Sequence, residues 1–115
     1  MKRIENISSG MADTVNINQA GTTFWMEVKC LYKWPAREKT CPLRNAFEPG
    51  QVPFLREWKC WNGHSFVLLK VDDSYFLLNP DDPLDEMTRI ELINHAVSFD
   101  MESIISFLMN LGKYE

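Results

Sequence analysis

The sequence predicts an α+β domain: an antiparallel sheet of about four to five strands with a C-terminal helix packed on one face. Three observations lead there. Apolar residues alternate over eleven positions from Phe24 to Trp34, the period-two signature of a half-buried strand. Asn62-Gly63 separates the apolar segments Phe54–Trp61 and His64–Val71, a strong hairpin signal because a type I′ turn needs positive φ at both central residues. Met101, Ile104, Ile105, Leu108 and Leu111 recur as one helical stripe, with Asp100 as N-cap and Gly112 as stop. The 115 residues, 45% apolar and 24% charged, have ordinary globular composition. They suffice for one domain, 1–115, that folds without disulfides or metal.

Residues 1–21 are polar, with turn signals at Ser8-Ser9-Gly10 and Ala20-Gly21, and are expected to be irregular in part. The strand that follows carries Phe24, Met26, Val28 and Cys30 on one face and Trp25, Glu27, Lys29 and Leu31 on the other. Pro35 ends it, since proline has no N–H for the ladder. Residues 35–53 hold four prolines and read as a long irregular excursion. In the expected hairpin, Phe54, Trp58, Cys60, Val67, Leu69 and Val71 form the core face, and Trp61 lies opposite His64 on a mixed face. That mixed face, with Trp25 on its neighbour, is either a free interface or covered by residues 1–21 or 35–53. Asp72-Asp73-Ser74 turns the chain into Tyr75–Leu78, apolar on both faces and therefore central, ended by Asn79-Pro80. Residues 88–97 read as a further strand or a turn of helix, the strand favoured because Ile90 and Leu92 alternate with Glu91.

A net charge of −4 and a pI near 5.2 argue against general nucleic-acid binding. No apolar run is long enough to span a bilayer, and the basic start, Met1 to Asn6, lacks the apolar region of a secretory signal. Three cysteines without framework spacing suggest free thiols in a reducing, cytoplasmic setting. Charge is segregated: residues 1–70 carry ten Lys/Arg against six Asp/Glu, whereas residues 71–115 carry two against ten. Asp72, Asp73, Asp81, Asp82, Asp85 and Glu86 fall in a stretch without one basic residue, and are expected exposed at one end of the sheet. They are either a solvated acidic loop or, with Trp61 and His64 as anchors, a surface for a basic protein partner. They lack the residue order of a calcium loop.

Gly63-His64-Ser65 opening an apolar strand, followed by Tyr75–Leu78 and Asn79, resembles the His–Asn half of papain-like and transglutaminase-like cysteine hydrolases over about eighteen residues. The resemblance implies a cysteine nucleophile. Cys30 lies mid-strand and Cys60 faces away from His64 in the expected hairpin, so Cys41 is the geometrically free thiol. Cys30, Cys41, Cys60 and His64 are spaced by 11, 19 and 4, with no short pair of zinc ligands, and His95 has no partner signature. No metal or cofactor is indicated. The expectation is therefore a small acidic, non-enzymatic protein that inhibits or sequesters a basic partner, in the general character of immunity proteins, antitoxins or phage-encoded inhibitors. The alternative is a cysteine hydrolase using Cys41, His64 and Asn79.

Overall fold

The structure, a computed structural model, describes residues 2–3 and 13–113. Among them six strands form one sheet in chain order: β1 (Lys2–Arg3), β2 (Thr14–Ile17), β3 (Thr23–Leu31), β4 (His64–Val71), β5 (Ser74–Leu78) and β6 (Ser98–Phe99). The helices are α1 (Gln51–Cys60), α2 (Arg89–His95) and α3 (Met101–Met109), with a 3₁₀ turn at Leu84–Glu86. The outermost strands β1 and β6 pair over two residues each. The fold is α+β and mostly antiparallel, but β3 and β4 run parallel, with Phe24 beside His64 and Leu31 beside Val71. The expected turn at Ser8-Ser9-Gly10 lies outside the described residues, and within residues 1–21, expected to be irregular in part, Thr14–Ile17 is a strand.

The parallel pair replaces the expected hairpin, because Phe54–Trp61 lies in and just beyond helix α1. Its sequence holds the helix formers Leu55, Arg56, Glu57 and Lys59, and Pro53 sits in the first turn, where its missing N–H has no helical partner to lose. Asn62-Gly63 has a different job from the one expected. Asn62 takes φ 65° and donates its N–H to Lys59 O, while Gly63 N–H reaches back to Trp58 O. Those two bonds close a Schellman motif at the helix end. A hairpin turn and a helix C-cap both call for a left-handed residue, so the dipeptide alone does not separate them. A Cβ on Gly63 would collide with the Trp58 indole and carbonyl.

With α1 crossing between parallel strands, both faces of the sheet are covered. On one face Trp25, Val67, Leu69 and Val71 pack with Leu43, Leu55, Leu84 and Leu92 from the excursion, α1, the 3₁₀ turn and α2. On the other, Phe24, Met26, Phe66 and Leu77 meet Ile104 and Leu108 of α3. Burial of each such side chain stabilises by about 1.5–3 kcal/mol. The expected core face is half right: Val67, Leu69 and Val71 are buried, whereas Cys60, at the end of α1, is exposed.

Residues 88–97, where a strand was favoured over a turn of helix, contain α2. Thr88 accepts from Glu91 N–H, and the Glu91 carboxylate accepts from the backbone N–H and hydroxyl of Thr88, a reciprocal capping box. These bonds hold the Glu91 carboxyl below its ordinary value. Asp100 caps α3 as expected, accepting from Ser103 N–H at 2.8 Å. The apolar stripe is narrower than its spacing suggests, since Ile104 and Leu108 are buried but Met101 and Ile105 are exposed. Asn18 ties the far end of α3 to the sheet. Its amide donates to Leu108 O and Leu111 O, both at 2.9 Å, and its oxygen accepts from the N–H groups of Ala20 and Thr22, both at 3.0 Å.

Candidate functional site

The odd positions of β3 face α1. That face begins with Trp25 and ends with Leu31, both packed in the core, yet between them it carries Glu27 and Lys29. Residues two apart on a strand project to the same side, so the carboxylate and the ammonium are neighbours. Lys29 Nζ lies 3.2 Å from Glu27 Oε2. The pairing of β2 with β3, in which Thr14 meets Met26, puts Asp13 just beyond the ladder opposite Glu27. There Asp13 Oδ2 accepts from Val28 N–H at 3.1 Å. Gln51, the first residue of α1, closes the group from the other layer. Its Oε1 accepts from Lys29 Nζ at 3.1 Å and from Glu48 N–H at 2.9 Å, and its Nε2 donates to Glu27 Oε2 at 3.3 Å.

The electrostatics of the cluster are unbalanced. Glu27 is 2% exposed, and its second oxygen, Oε1, is buried without a partner. Desolvation is the largest influence on its carboxyl and the Asp13 charge the next; together they outweigh Lys29 and push the pKa from 4.5 up to about 7. Two carboxylates within hydrogen-bonding reach, with an unsatisfied oxygen between protein layers, form a hard-oxygen environment that a cation would relieve. Asp13 is half-buried and the Lys29 side chain 16% exposed, so the cluster is buried at Glu27 and open at its rim.

The residues singled out by sequence are distributed differently. Asp72 and Asp73 form the exposed turn from β4 to β5, with Asp72 at φ 52°. Asp81, Asp82, Asp85 and Glu86 follow β5 and therefore sit at the opposite end of the sheet. The six carboxylates are two groups, not the single end expected, because an antiparallel strand of five residues separates them. The second group is also partly neutralised by α1. Lys59 Nζ donates to Asn79 Oδ1 at 2.6 Å and pairs with Asp81 at 3.0 Å; Arg56 donates to the carbonyls of Pro80 at 2.6 Å and Asp82 at 3.0 Å. His95 Nδ1 lies 3.8 Å from Asp82.

Trp61 and His64 flank the turn out of α1 at this same end, Trp61 78% exposed and His64 half-buried. Cys41 is half-buried in the excursion, where its Sγ accepts from Arg44 Nη2 at 3.6 Å. The Asn79 oxygen accepts from Lys59 and from Asp81 N–H. None of the three cysteines is in a disulfide.

Sequence reasoning did not single out Asp13, Glu27, Lys29 and Gln51. The available signal was an acid and a base two apart at positions whose same-face neighbours, Trp25 and Leu31, are apolar: charges on a core-facing stripe. Among the described residues no three His, Cys, Asp or Glu side chains converge as a ligand set, and no helix is long and apolar enough to cross a membrane. An open groove of about 710 Å³ between β2, β3 and α3 is lined chiefly by apolar groups such as Ile17, Phe24, Ile105 and Met109, and holds no titratable group. The chain matches no family model and no curated protein.

Proposed function

We propose that this chain hydrolyses phosphodiester bonds of nucleic acid, using a divalent cation held by Asp13 and Glu27. The observation that carries the reading is the unpartnered Glu27 Oε1, buried beside a second carboxylate. Oxygen ligands without His or Cys suit magnesium or manganese. Magnesium is commonly held by one or two carboxylates, with waters and substrate phosphate completing its shell. A cation held by Asp13 and Glu27 would supply Lewis acidity to the phosphoryl oxygen and lower the pKa of a ligated water. Lys29 contributes a fixed positive charge for the developing phosphorane, and Gln51 holds the ammonium in place.

The surroundings support a polyanionic substrate. Residues 29–44 hold five Lys/Arg and one acidic residue, and Lys33, Arg37, Lys39 and Arg44 are exposed along the excursion that leaves β3 and enters α1. The net charge of −4 does not oppose this, because the surplus acids belong to residues 71–115. Three free thiols accord with a reducing cytoplasmic location.

The test is cleavage of labelled single- and double-stranded DNA and RNA with magnesium, with manganese and with a chelator. Cleavage should require the cation and fall roughly a hundredfold or more in Glu27→Gln and in Lys29→Met. A wild-type protein that cuts nothing, and that no cation stabilises relative to Glu27→Gln, would overturn the reading.

A second reading, docking of a basic protein, is favoured by Trp61, which is 78% exposed just past the end of α1, where Lys59 meets Asn79 and Asp81. Its anchors would be Trp61 and His64 with Asp81, Asp82, Asp85 and Glu86, leaving Asp72 and Asp73 outside. Association kinetics unchanged in salt dependence by Asp81, Asp82 and Asp85→Asn would remove that loop from such an interface.

A further inference from the structure

The Lys29 ammonium has three N–H donors. Glu27 Oε2 and Gln51 Oε1 provide acceptors at 3.2 Å and 3.1 Å. The Phe47 ring also stands against it, with its centroid 5.1 Å from Nζ. At that range a cation is drawn to the ring face, and the attraction grows as water is excluded. Phe47 is half-buried and packs against the same core cluster that holds Trp25 and Leu55, so the ring is anchored from behind.

The chain path gives this contact a consequence. Lys29 is on β3, Gln51 begins α1, and Phe47 belongs to the irregular excursion between them. Glu48, the next residue, donates its N–H to Gln51 Oε1, the same atom that accepts from Lys29. The end of the excursion therefore touches the ammonium through a ring and touches its acceptor through a backbone bond.

We propose, building on the hydrolase reading above, that Phe47 is a positioning residue for Lys29 and couples the basic excursion to the reacting centre. It touches neither cation nor substrate. It fixes where the ammonium points, so that binding of phosphates by the excursion and placement of the Lys29 charge share one mechanical link. Loss of the ring should lower turnover while leaving substrate and cation affinity nearly intact.

The experiment compares wild type, Phe47→Leu, Phe47→Tyr and Glu27→Gln in one cleavage assay with manganese, and follows the Lys29 ε-methylene by NMR. Leucine keeps apolar bulk without a ring; tyrosine keeps the ring. In Phe47→Leu, kcat should fall roughly five- to tenfold with KM and manganese affinity within about twofold, as expected for loss of one such contact. The ring-current shift at Lys29 should vanish in the same variant, and Phe47→Tyr should restore both. Wild-type kcat in Phe47→Leu, or equal losses in Phe47→Leu and Phe47→Tyr, would overturn the positioning role while leaving the hydrolase reading intact. Wild type and Glu27→Gln equally inactive would overturn the hydrolase reading itself, and this proposal with it.

Discussion

Glu27 makes the stability of the cation-free protein depend on pH in a calculable way. Its carboxyl has a pKa of about 7 in the folded chain, raised from an ordinary 4.5 by desolvation first and the Asp13 charge second. A carboxyl whose pKa is raised by folding binds its proton more tightly in the native state, so its contribution to stability is fully present below the unfolded pKa. It is lost as pH rises through the folded one. At about 1.4 kcal/mol per pH unit, the interval from 4.5 to 7 corresponds to roughly 3 kcal/mol. Stability should therefore decline across that window and level off above it.

Glu27→Gln keeps the shape and removes the titration. Urea unfolding of both proteins between pH 4 and 8, with chelator present, isolates the effect, because groups common to both cancel in the difference. The wild-type minus variant stability should fall by about 3 kcal/mol from the acidic to the alkaline limit. If the proposed cation binds, it should act in the opposite sense, stabilising wild type most at high pH, where Glu27 is ionised, and leaving the variant little changed. Parallel pH profiles for the two proteins would refute the placement of Glu27 in a desolvated, acid-flanked site.

Asn18→Ala removes four hydrogen bonds at the junction of α3 and the sheet, one of them buried and three part-buried. It should cost about 3 kcal/mol in urea unfolding, and a loss below about 0.5 kcal/mol would contradict the anchoring role. Gly63→Ala should cost roughly 1–3 kcal/mol because the added methyl meets the Trp58 indole, whereas Asn62→Gly should change stability by only a few tenths. Exposed Cys30 and Cys60 should react with iodoacetamide at least as fast as half-buried Cys41; a many-fold faster Cys41 would return weight to a hydrolase built on Cys41, His64 and Asn79.

Much of the architecture was legible because its signals are local. The alternation from Phe24, the Asp72-Asp73 turn, the doubly apolar Tyr75–Leu78 and the Asp100 cap each state a backbone preference within a few residues. Errors arose where two structures share one local requirement. Asn62-Gly63 satisfies a hairpin turn and a Schellman cap equally, and Phe54–Trp61 carries enough aromatic and apolar residues to pass for a strand. The helical evidence was present in Leu55-Arg56-Glu57 and in the tolerance of Pro53 within a first turn, but length and partner decide such cases. In 88–97 the capping-box spacing Thr88 to Glu91 was a sharper cue than the short alternation that suggested a strand.

The site was hidden for a related reason. Whether Glu27 and Lys29 face water or a second layer depends on what covers that side of β3, and the covering residues, Leu43 and Phe47 of the excursion and Leu55 of α1, lie well beyond the strand in sequence. Read as a hairpin, Phe54–Trp61 extends the sheet, leaves that face half open, and makes the pair an ordinary surface couple. Read as a crossover helix, the same residues put Leu55 and Gln51 over the face, and a charged pair there becomes a desolvated one, bridged by Gln51 but burdened further by the Asp13 charge. The misplaced element and the missed site are thus one error. Conversely, an acid and a base two apart between core-facing Trp25 and Leu31 are hard to reconcile with a passive sheet face. Such a pair persists at the cost of stability where it serves chemistry, which is why Glu27 and Lys29, rather than the more conspicuous acidic loop, carry the functional reading.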